Sequence, residues 1–246
     1  MAKSACLIII GNEVLSGRTQ DANLSFLGEK LNDIGVRLKE ARIIPDVTDT
    51  IVDTVNSCRK QFDYVFTTGG IGPTHDDITS AAIAKAFDVP LVRHPDALAL
   101  LENHYEDKRD LNAQRLKMAD VPQGARLIDN PISKAPGFQI ENVYVLAGVP
   151  KIMQVMFDGL KDDLTPGPPM LSHTLVAFIG EGVIAGGLGD IQEGFPDVEI
   201  GSYPFFRNGK LGSCLVMRSP SADSNAQATE AVRDLVRQHG VEPIDE

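Results

Sequence analysis

The chain has 246 residues, of which 43% are hydrophobic and 23% are charged, a balance typical of folded globular proteins and unlike that of disordered, collagen-like or coiled-coil chains. The 23 Lys and Arg residues against 34 Asp and Glu residues give a formal net charge of −11. Such a surface repels phosphate backbones, so we expect no nucleic-acid partner and expect any anionic ligand to be bound through backbone N–H groups or a cation.

The cysteines and the N-terminal segment bear on the cellular compartment. Cys6, Cys58 and Cys214 are an odd number without a CxxC spacing, which excludes a disulfide framework and a zinc ribbon. We expect buried free thiols. The apolar run at residues 5–10 is far too short for a signal peptide or a membrane span. These features predict a cytoplasmic protein with no membrane partner.

Short apolar runs alternate with amphipathic segments through the first two thirds of the chain. The pattern predicts strands at residues 6–10, 36–44, 64–68, 91–92, 126–128 and 144–147. It predicts a helix between the N-cap Asp21 and Gly35, and further helices at 47–61, 76–87, 96–105, 112–118 and 151–160. Strands that alternate with such helices indicate an α/β fold, with three α/β/α layers around a mostly parallel sheet.

A Pro- and Gly-dense segment at residues 164–169 marks the expected domain boundary. We therefore divide the chain into a domain at 1–165 and a small α+β module at 170–246. Within the module, strands are expected at 171–179, 198–203 and 211–217, with an Asn208-Gly209 hairpin turn and a helix at 226–238.

The most informative segment runs from residue 67 to 79, where a predicted strand leads into Gly69, Gly70 and Gly72. Glycines at the end of a strand let backbone N–H groups approach an oxyanion closely, and a following helix N-terminus adds positive potential. The spacing is neither that of a dinucleotide-binding GxGxxG nor that of a Walker A loop. The pattern favours a phosphate-binding loop, and the alternative is a tight turn with an Asp N-cap.

Two carboxylates, Asp76 and Asp77, follow the glycines. Paired carboxylates beside a phosphate repel it unless a cation lies between them, which indicates a divalent metal, Mg²⁺ by preference and Mn²⁺ or Co²⁺ as alternatives. The structural alternatives are a helix N-cap for Asp77 and a solvated turn for Asp76. His75 could donate to a phosphate or be an exposed loop residue.

Further polar residues are expected at the same edge of the sheet. Asp46 follows the second strand, while Glu13, Asp21 and Asn23 follow the first. In open parallel sheets the ligand crevice lies outside the carboxyl ends of the strands. We therefore expect Asp46 to line one crevice with Asp77 and the glycine loop. Asp21 has a competing interpretation as a helix cap.

These residues resemble a known family. Residues 68–79 resemble the signature of the MoaB/Mog molybdopterin-binding domain. More narrowly, the chain is similar to the CinA branch of that family at residues 11–17, 21–23, 112–114 with 118–119, 130–131 with 135–138, and 148–150. Residues 17–21 and 69–77 are also similar to the N-terminal domain of eukaryotic FAD synthase, and the C-terminal module resembles the KH-like insert of CinA proteins.

The resemblance implies a site and an activity. The residues that would bind a pterin or dinucleotide ligand are Gly69, Gly70, Gly72, Pro73, Thr74, Asn23, Gly137 and Gly148. Asp46 and Asp77 match the two essential aspartates of Mog-type proteins, and Asp76 and Asp77 would hold the metal. The implied reaction is metal-dependent cleavage of the diphosphate bond of FAD or ADP-ribose. We further expect a homo-oligomer.

This sequence departs from the family pattern at two places. Ser133-Lys134 replaces the usual Gly-Thr before Ala-Pro-Gly, and Ile152 replaces the Glu that usually follows Gly-Val-Pro-x. The alternatives are therefore adenylylation of molybdopterin, as in Mog, and a module that binds a pterin or nucleotide without turnover. RNA binding through the C-terminal module is disfavoured by its acidic composition.

Overall fold

The computed structural model describes residues 3–105, 107, 109–207 and 209–246. They divide into two compact units, with the boundary between Gly167 and Pro168. The Asn208 half of the expected hairpin turn lies outside the described residues. In the described part of the chain, no helix is long and apolar enough to cross a membrane.

The elements of the first unit, in chain order, are β1 (Ser4–Ile10), α1 (Asn12–Leu15), α2 (Asn23–Asp33), β2 (Arg37–Ile44), α3 (Thr48–Gln61), β3 (Tyr64–Thr68), α4 (Thr79–Ala86), β4 (Leu91–Arg93), α5 (Pro95–His104), α6 (Ala113–Leu116), β5 (Asp120–Pro122), β6 (Arg126–Ile128), β7 (Gly137–Ile140), β8 (Val143–Leu146) and α7 (Pro150–Leu160). Those of the second unit are β9 (Leu171–Ala177), α8 (Glu181–Gly194), β10 (Glu199–Arg207), β11 (Lys210–Ser219), α9 (Ala222–Gln238) and β12 (Ile244–Asp245).

The main sheet of the first unit has the strand order β2-β1-β3-β8-β7-β6. The first four strands are parallel, and the last two pairings are antiparallel. Ile9 pairs with Thr68, and Thr68 with Leu146, so three of the parallel strands end at one edge of the sheet. The predicted mostly parallel α/β sheet is confirmed.

Alternate residues of β1 enter two separate cores, because successive side chains of a strand point to opposite faces. Ile8 packs with α3 and α4 on one face. Leu7 packs with Leu27 of α2 and Phe157 of α7 on the other. All four are fully buried, and each buried side chain of this size contributes about 1.5–3 kcal/mol. The two cores on opposite faces make the three layers that the sequence predicts.

The helix expected at residues 76–87 begins later, at Thr79. The Thr79 N–H donates to the Gly70 carbonyl at 2.9 Å and its hydroxyl donates to the Gly69 carbonyl at 3.0 Å. These two bonds make Thr79 the first helical residue and leave Asp76 and Asp77 in the preceding loop. The alternative that Asp77 caps this helix is therefore wrong.

The second unit is a four-stranded antiparallel sheet, in the order β10-β11-β9-β12, with α8 and α9 packed against it. Sequence reasoning missed α8, because Gly182, Gly186, Gly187 and Gly189 disfavour a helix. The helix forms because Ile184 and Leu188 are buried in the core of this unit. Tertiary packing here outweighs intrinsic propensity.

Candidate functional site

A cavity of about 540 Å³ opens at the glycine loop that follows β3. The glycine loop, defined here as residues 69–73, forms one wall with Asp77, and Ala147, Gly148 and Val149 enter from the β8–α7 connection. The remaining lining residues are Glu13, Tyr105, Arg115, Met118, Asn130, Ser133, Ala135 and Ile152. The volume falls in the range of small-molecule sites.

Close packing explains the first two glycines of this loop. Gly69 has φ +102°, and a Cβ there would lie 2.2 Å from the carbonyl oxygen of Ile10. Gly70 has φ +70°, and its Cβ would lie 2.1 Å from Oγ1 of Thr79. A side chain at either position would be strained by its φ and would also clash. The loop therefore packs tightly against the ends of β1 and α4.

Three successive N–H groups of the loop have no intramolecular hydrogen bond among the described residues. The Gly69 N–H is taken by the Leu146 carbonyl at 3.2 Å. Among the described residues, the N–H groups of Gly70, Ile71 and Gly72 have no intramolecular acceptor, although all three residues line the cavity. Adjacent free N–H groups in a glycine turn make a concavity that suits phosphate oxygens.

One threonine holds the two carboxylates of the motif together. Thr74 donates its N–H to Oδ2 of Asp77 at 2.7 Å, and its hydroxyl lies 2.5 Å from both that oxygen and Oδ1 of Asp76. The Lys117 ammonium donates to the carbonyls of Thr74 and Asp77 at 3.1 and 3.4 Å. Asp77 lines the cavity, while Asp76 is 63% exposed and lies outside it.

Asp76 is nevertheless ionised at neutral pH. The hydrogen bond from the Thr74 hydroxyl holds the pKa of Asp76 below its ordinary value, and the bond from its own N–H and the charges of His75 and Lys117 act in the same direction. The His75 side chain is 97% exposed and does not line the cavity. A single hydroxyl hydrogen serves only one carboxylate at a time, so the two acids share it.

Asp46 is placed differently from the expectation. It does not line the cavity with Asp77, and its Oδ2 accepts a hydrogen bond from the N–H of Asn12 at 2.8 Å. That bond fixes the start of α1, the short helix that carries Glu13 to the cavity. The expectation that Asp46 and Asp77 line one crevice is therefore wrong. Asp46 lies outside the cavity and supports the helix that carries Glu13. Its predicted catalytic role stays a prediction.

The other predicted ligand-binding residues divide into three groups. Pro73 and Gly148 line the cavity with the three loop glycines. Thr74 and Gly137 do not, because Thr74 is turned to the carboxylates and Gly137 is buried in β7. A Cβ on Gly137 would lie 2.3 Å from the Val145 carbonyl oxygen, so strand packing explains this glycine. Asn23 lines a smaller recess beside the cavity.

Sequence reasoning missed a cationic side chain that lines the cavity, Arg115. The guanidinium of Arg115 lies over the ring of Tyr105, 4.7 Å from its centroid, and donates to the Asp110 carbonyl at 2.6 Å. The Asn112 side chain accepts the Arg115 N–H at 3.0 Å and caps α6. Asn112 opens the family-like stretch at 112–114, and its pattern as a helix N-cap is the signal that could have located Arg115 three residues later.

The donor set fits a magnesium-type site. Glu13 and Asp77 are the carboxylates that line the cavity within the described residues, and nowhere in that part of the chain do three or more His, Cys, Asp or Glu residues cluster as metal ligands. Mg²⁺ is usually held by one or two carboxylates with substrate phosphates and waters. The residues present therefore suit a cation that arrives with a phosphate ligand.

Comparisons with known proteins agree with this architecture. Residues 6–166 match a family described as "Probable molybdopterin binding domain", and residues 169–245 match "FAD synthase, middle domain". A crystal structure described as the protein CinA with unknown function, from Thermoplasma acidophilum, is 37% identical, covers 66% of this chain and 98% of its own, and has a TM-score of 0.62.

Two curated relatives cover more of the chain. A "Probable FAD synthase" of Caenorhabditis elegans is 31% identical over 263 residues, which span 96% of this chain and 50% of the relative. The chain thus spans half the length of that protein. A protein of Archaeoglobus fulgidus is 34% identical over 200 residues, 80% of this chain and 84% of the relative. Since the molybdopterin-binding family covers more than half of its residues, the chain belongs to the MoaB/Mog molybdopterin-binding domain family, in the CinA-like branch.

Proposed function

We propose that the first unit binds a nucleotide diphosphate such as FAD or ADP-ribose and hydrolyses its diphosphate bond with the help of a divalent cation. One observation carries the proposal: Gly70, Ile71 and Gly72, whose N–H groups have no intramolecular acceptor among the described residues, line the same cavity as Glu13 and Asp77. The N–H groups suit phosphate oxygens, and the carboxylates suit a cation. The similarity to FAD synthases supports a nucleotide ligand.

The chain's own residues would act on a water molecule and on the diphosphate. Water attacks one phosphorus and forms a new P–O bond, while the bond from that phosphorus to the bridging oxygen breaks. Glu13 takes one proton of the water, and the bridging oxygen leaves on the second monophosphate and is protonated from solvent. The glycine-loop N–H groups hold the phosphates in place. A bound divalent cation would offset the negative charge that develops on the phosphate oxygens.

The test is a substrate panel. FAD, ADP-ribose, NAD and a diadenosine diphosphate are each incubated with Mg²⁺, Mn²⁺ or Co²⁺, and the products are separated by chromatography, with EDTA as the metal-free control. We expect two monophosphates from at least one substrate, and only with metal. A protein that binds none of the four substrates, or cleaves one equally well in EDTA, would refute the proposal.

A second candidate is a module that binds the ligand without turnover. Ile152 lines the cavity at the position where the proteins it resembles carry Glu. A carboxylate that serves the metal or the ligand would be missing there. Tight binding of FAD with no monophosphate product in any metal would favour this candidate, and restored turnover in Ile152→Glu would identify the missing carboxylate as the reason.

A further inference from the structure

A lysine outside the cavity holds the turn that carries the two carboxylates. The Lys117 ammonium donates to the carbonyl oxygen of Thr74 at 3.1 Å and to that of Asp77 at 3.4 Å. It therefore bridges both ends of the four-residue turn at 74–77. Within the described residues, the other hydrogen bonds of this turn all come from inside it.

The place of Lys117 in the chain connects this turn to the opposite wall of the cavity. Lys117 directly follows α6 and lies between Arg115 and Met118, both of which line the cavity. Lys117 itself does not line the cavity, but it shares a separate small recess with Gly72 and Asp77. The lysine is thus a tie between the wall that carries Arg115 and the turn that carries Asp77.

The turn depends on such a tie because its internal bonds constrain only its own members. The bonds from Thr74 to Asp76 and Asp77 hold the two acids together, but they do not fix either acid relative to Arg115 or Glu13. Groups that orient a metal ligand from outside the coordination shell matter for binding, and their loss typically weakens metal affinity about 10- to 100-fold. Lys117 is placed to act on Asp77 in this way.

We propose that Lys117 is a positioning residue, which keeps the Asp77 carboxylate in place for a divalent cation by tying its turn to the wall that carries Arg115. In this role Lys117 contacts neither the ligand nor the cation and acts only through the turn. The inference rests on the cation-assisted function proposed above and adds to it a residue from outside the cavity.

Charge and position predict opposite effects for this lysine. An ammonium close to two carboxylates repels a cation that they bind, so the loss of its charge alone should tighten the binding of a divalent ion about two- to fivefold. The loss of the tie should instead weaken that binding about tenfold. A lysine that only stabilises the fold would lower the Tm and leave the affinity unchanged. The direction of the change in affinity therefore distinguishes the three roles.

The experiment measures Mn²⁺ binding, alone and with ADP, from the electron paramagnetic resonance signal of the free ion, so that no turnover is needed. Lys117→Met keeps the length of the side chain and removes the ammonium. We expect it to bind Mn²⁺ about tenfold more weakly than wild type. Lys117→Arg keeps donors for both carbonyls and should stay within about threefold of wild type. Because Lys117 is exposed, neither variant should lower the Tm by more than about 4 °C.

Lys85→Met is the matched control. Lys85 is also an exposed lysine of the first unit, and its ammonium lies 2.8 Å from Oδ1 of Asp49, but it does not line the cavity or contact the turn. The control removes the same charge from the unit and leaves the tie intact. It should keep the Mn²⁺ affinity within about twofold of wild type.

The outcomes separate this proposal from the hydrolase proposal. Unchanged or tighter Mn²⁺ binding by Lys117→Met would overturn the positioning role, as would an equal loss in Lys85→Met or in Lys117→Arg. Weaker binding by Lys117→Met alone, with no diphosphate cleaved by wild type, would refute the hydrolase and leave the positioning role standing. Cleavage of FAD with an Mn²⁺ affinity that Lys117→Met does not change would refute the positioning role alone. A wild type that binds no Mn²⁺ would overturn both.

Discussion

Replacing Asp77 with asparagine tests whether this carboxylate serves a cation or only folds its loop. In the wild type the Thr74 N–H donates to Oδ2 of Asp77 at 2.7 Å. Asp77→Asn keeps the size of the side chain and an oxygen that can accept this N–H. It removes the negative charge that lines the cavity. The fold of the loop therefore depends on the oxygen that is kept, whereas cation binding depends on the charge that is lost.

The structural cost should be small. A hydrogen bond to a charged acceptor contributes roughly 1 kcal/mol more than one to a neutral acceptor. Asp77 accepts the Thr74 N–H, shares the Thr74 hydroxyl with Asp76 and is only half-buried. We therefore expect the free energy of unfolding to fall by about 1 kcal/mol. For a protein of this size that is a fall in Tm of about 2–4 °C.

The effect on function should be larger, and its direction should depend on the metal: turnover should fall with metal, whereas FAD binding should tighten in EDTA. If Asp77 positions a cation, turnover falls about 100-fold, which corresponds to about 2.7 kcal/mol of barrier. In EDTA the same change removes a charge that repels the diphosphate. At a separation of about 5 Å in a water-like dielectric, that repulsion is about 1 kcal/mol, so metal-free binding of FAD should tighten roughly fivefold.

The assay measures kcat with Mg²⁺, the Kd for FAD in EDTA and the Tm on the same preparations. Asp76→Asn is the matched control, because Asp76 shares the Thr74 hydroxyl but is 63% exposed and lies outside the cavity. It should change kcat less than threefold by the same charge argument. Equal losses of turnover in the two variants, or a fully active Asp77→Asn protein, would refute the metal role of Asp77.

Three further predictions concern other parts of the first unit. Gly70→Ala should lower the free energy of unfolding by about 3 kcal/mol in a urea titration, because the added Cβ would clash and a φ of +70° is strained for any side chain. Gly124→Ala, with φ +83° and open space around it, should cost about 1 kcal/mol. Arg115→Ala should weaken FAD binding about tenfold by calorimetry through loss of the cation over Tyr105, and an unchanged Kd would exclude a contact with the ligand. The hydrogen bond from the Lys3 ammonium lowers the pKa of Asp63 to about 2. This stabilisation is complete above the unfolded pKa of about 3.9 and is lost as the pH falls through 2, so the stability difference between wild type and Asp63→Asn should shrink between pH 4 and pH 2 in thermal melts.

The sheet could be predicted because its strands bury both faces. The run at residues 6–10 is apolar throughout, as a strand between two helical layers must be, and the same logic located β3 and β8. The strand β7 was missed because Gly137 and Gln139 interrupt its apolar pattern. Its glycine is required by a close contact with a neighbouring strand, which no pattern along one strand reveals.

The glycine loop could be predicted from local chemistry, but the opposite wall could not. Gly69, Gly70 and Gly72 are adjacent in sequence, and their requirement for a tight turn is a local property. Arg115 and Ser133 reach the cavity from segments about 40 and 60 residues further along the chain, so only the tertiary fold brings them there. Asp46 shows the same limit: it lies near the expected edge, yet its carboxylate is bonded to Asn12.

The expected anion site is consistent with the acidity of the whole chain. A protein with a net charge of −11 repels a diphosphate at long range, so its site needs local positive potential that does not alter the overall charge. Free N–H groups at Gly70, Ile71 and Gly72 supply this from the backbone. Arg115 adds one cationic side chain against the carboxylates of Glu13 and Asp77. Among the described lining residues this leaves one negative charge in excess. A divalent cation bound with the ligand would reverse that sign, which is why the metal dependence of binding is the most direct test of the site.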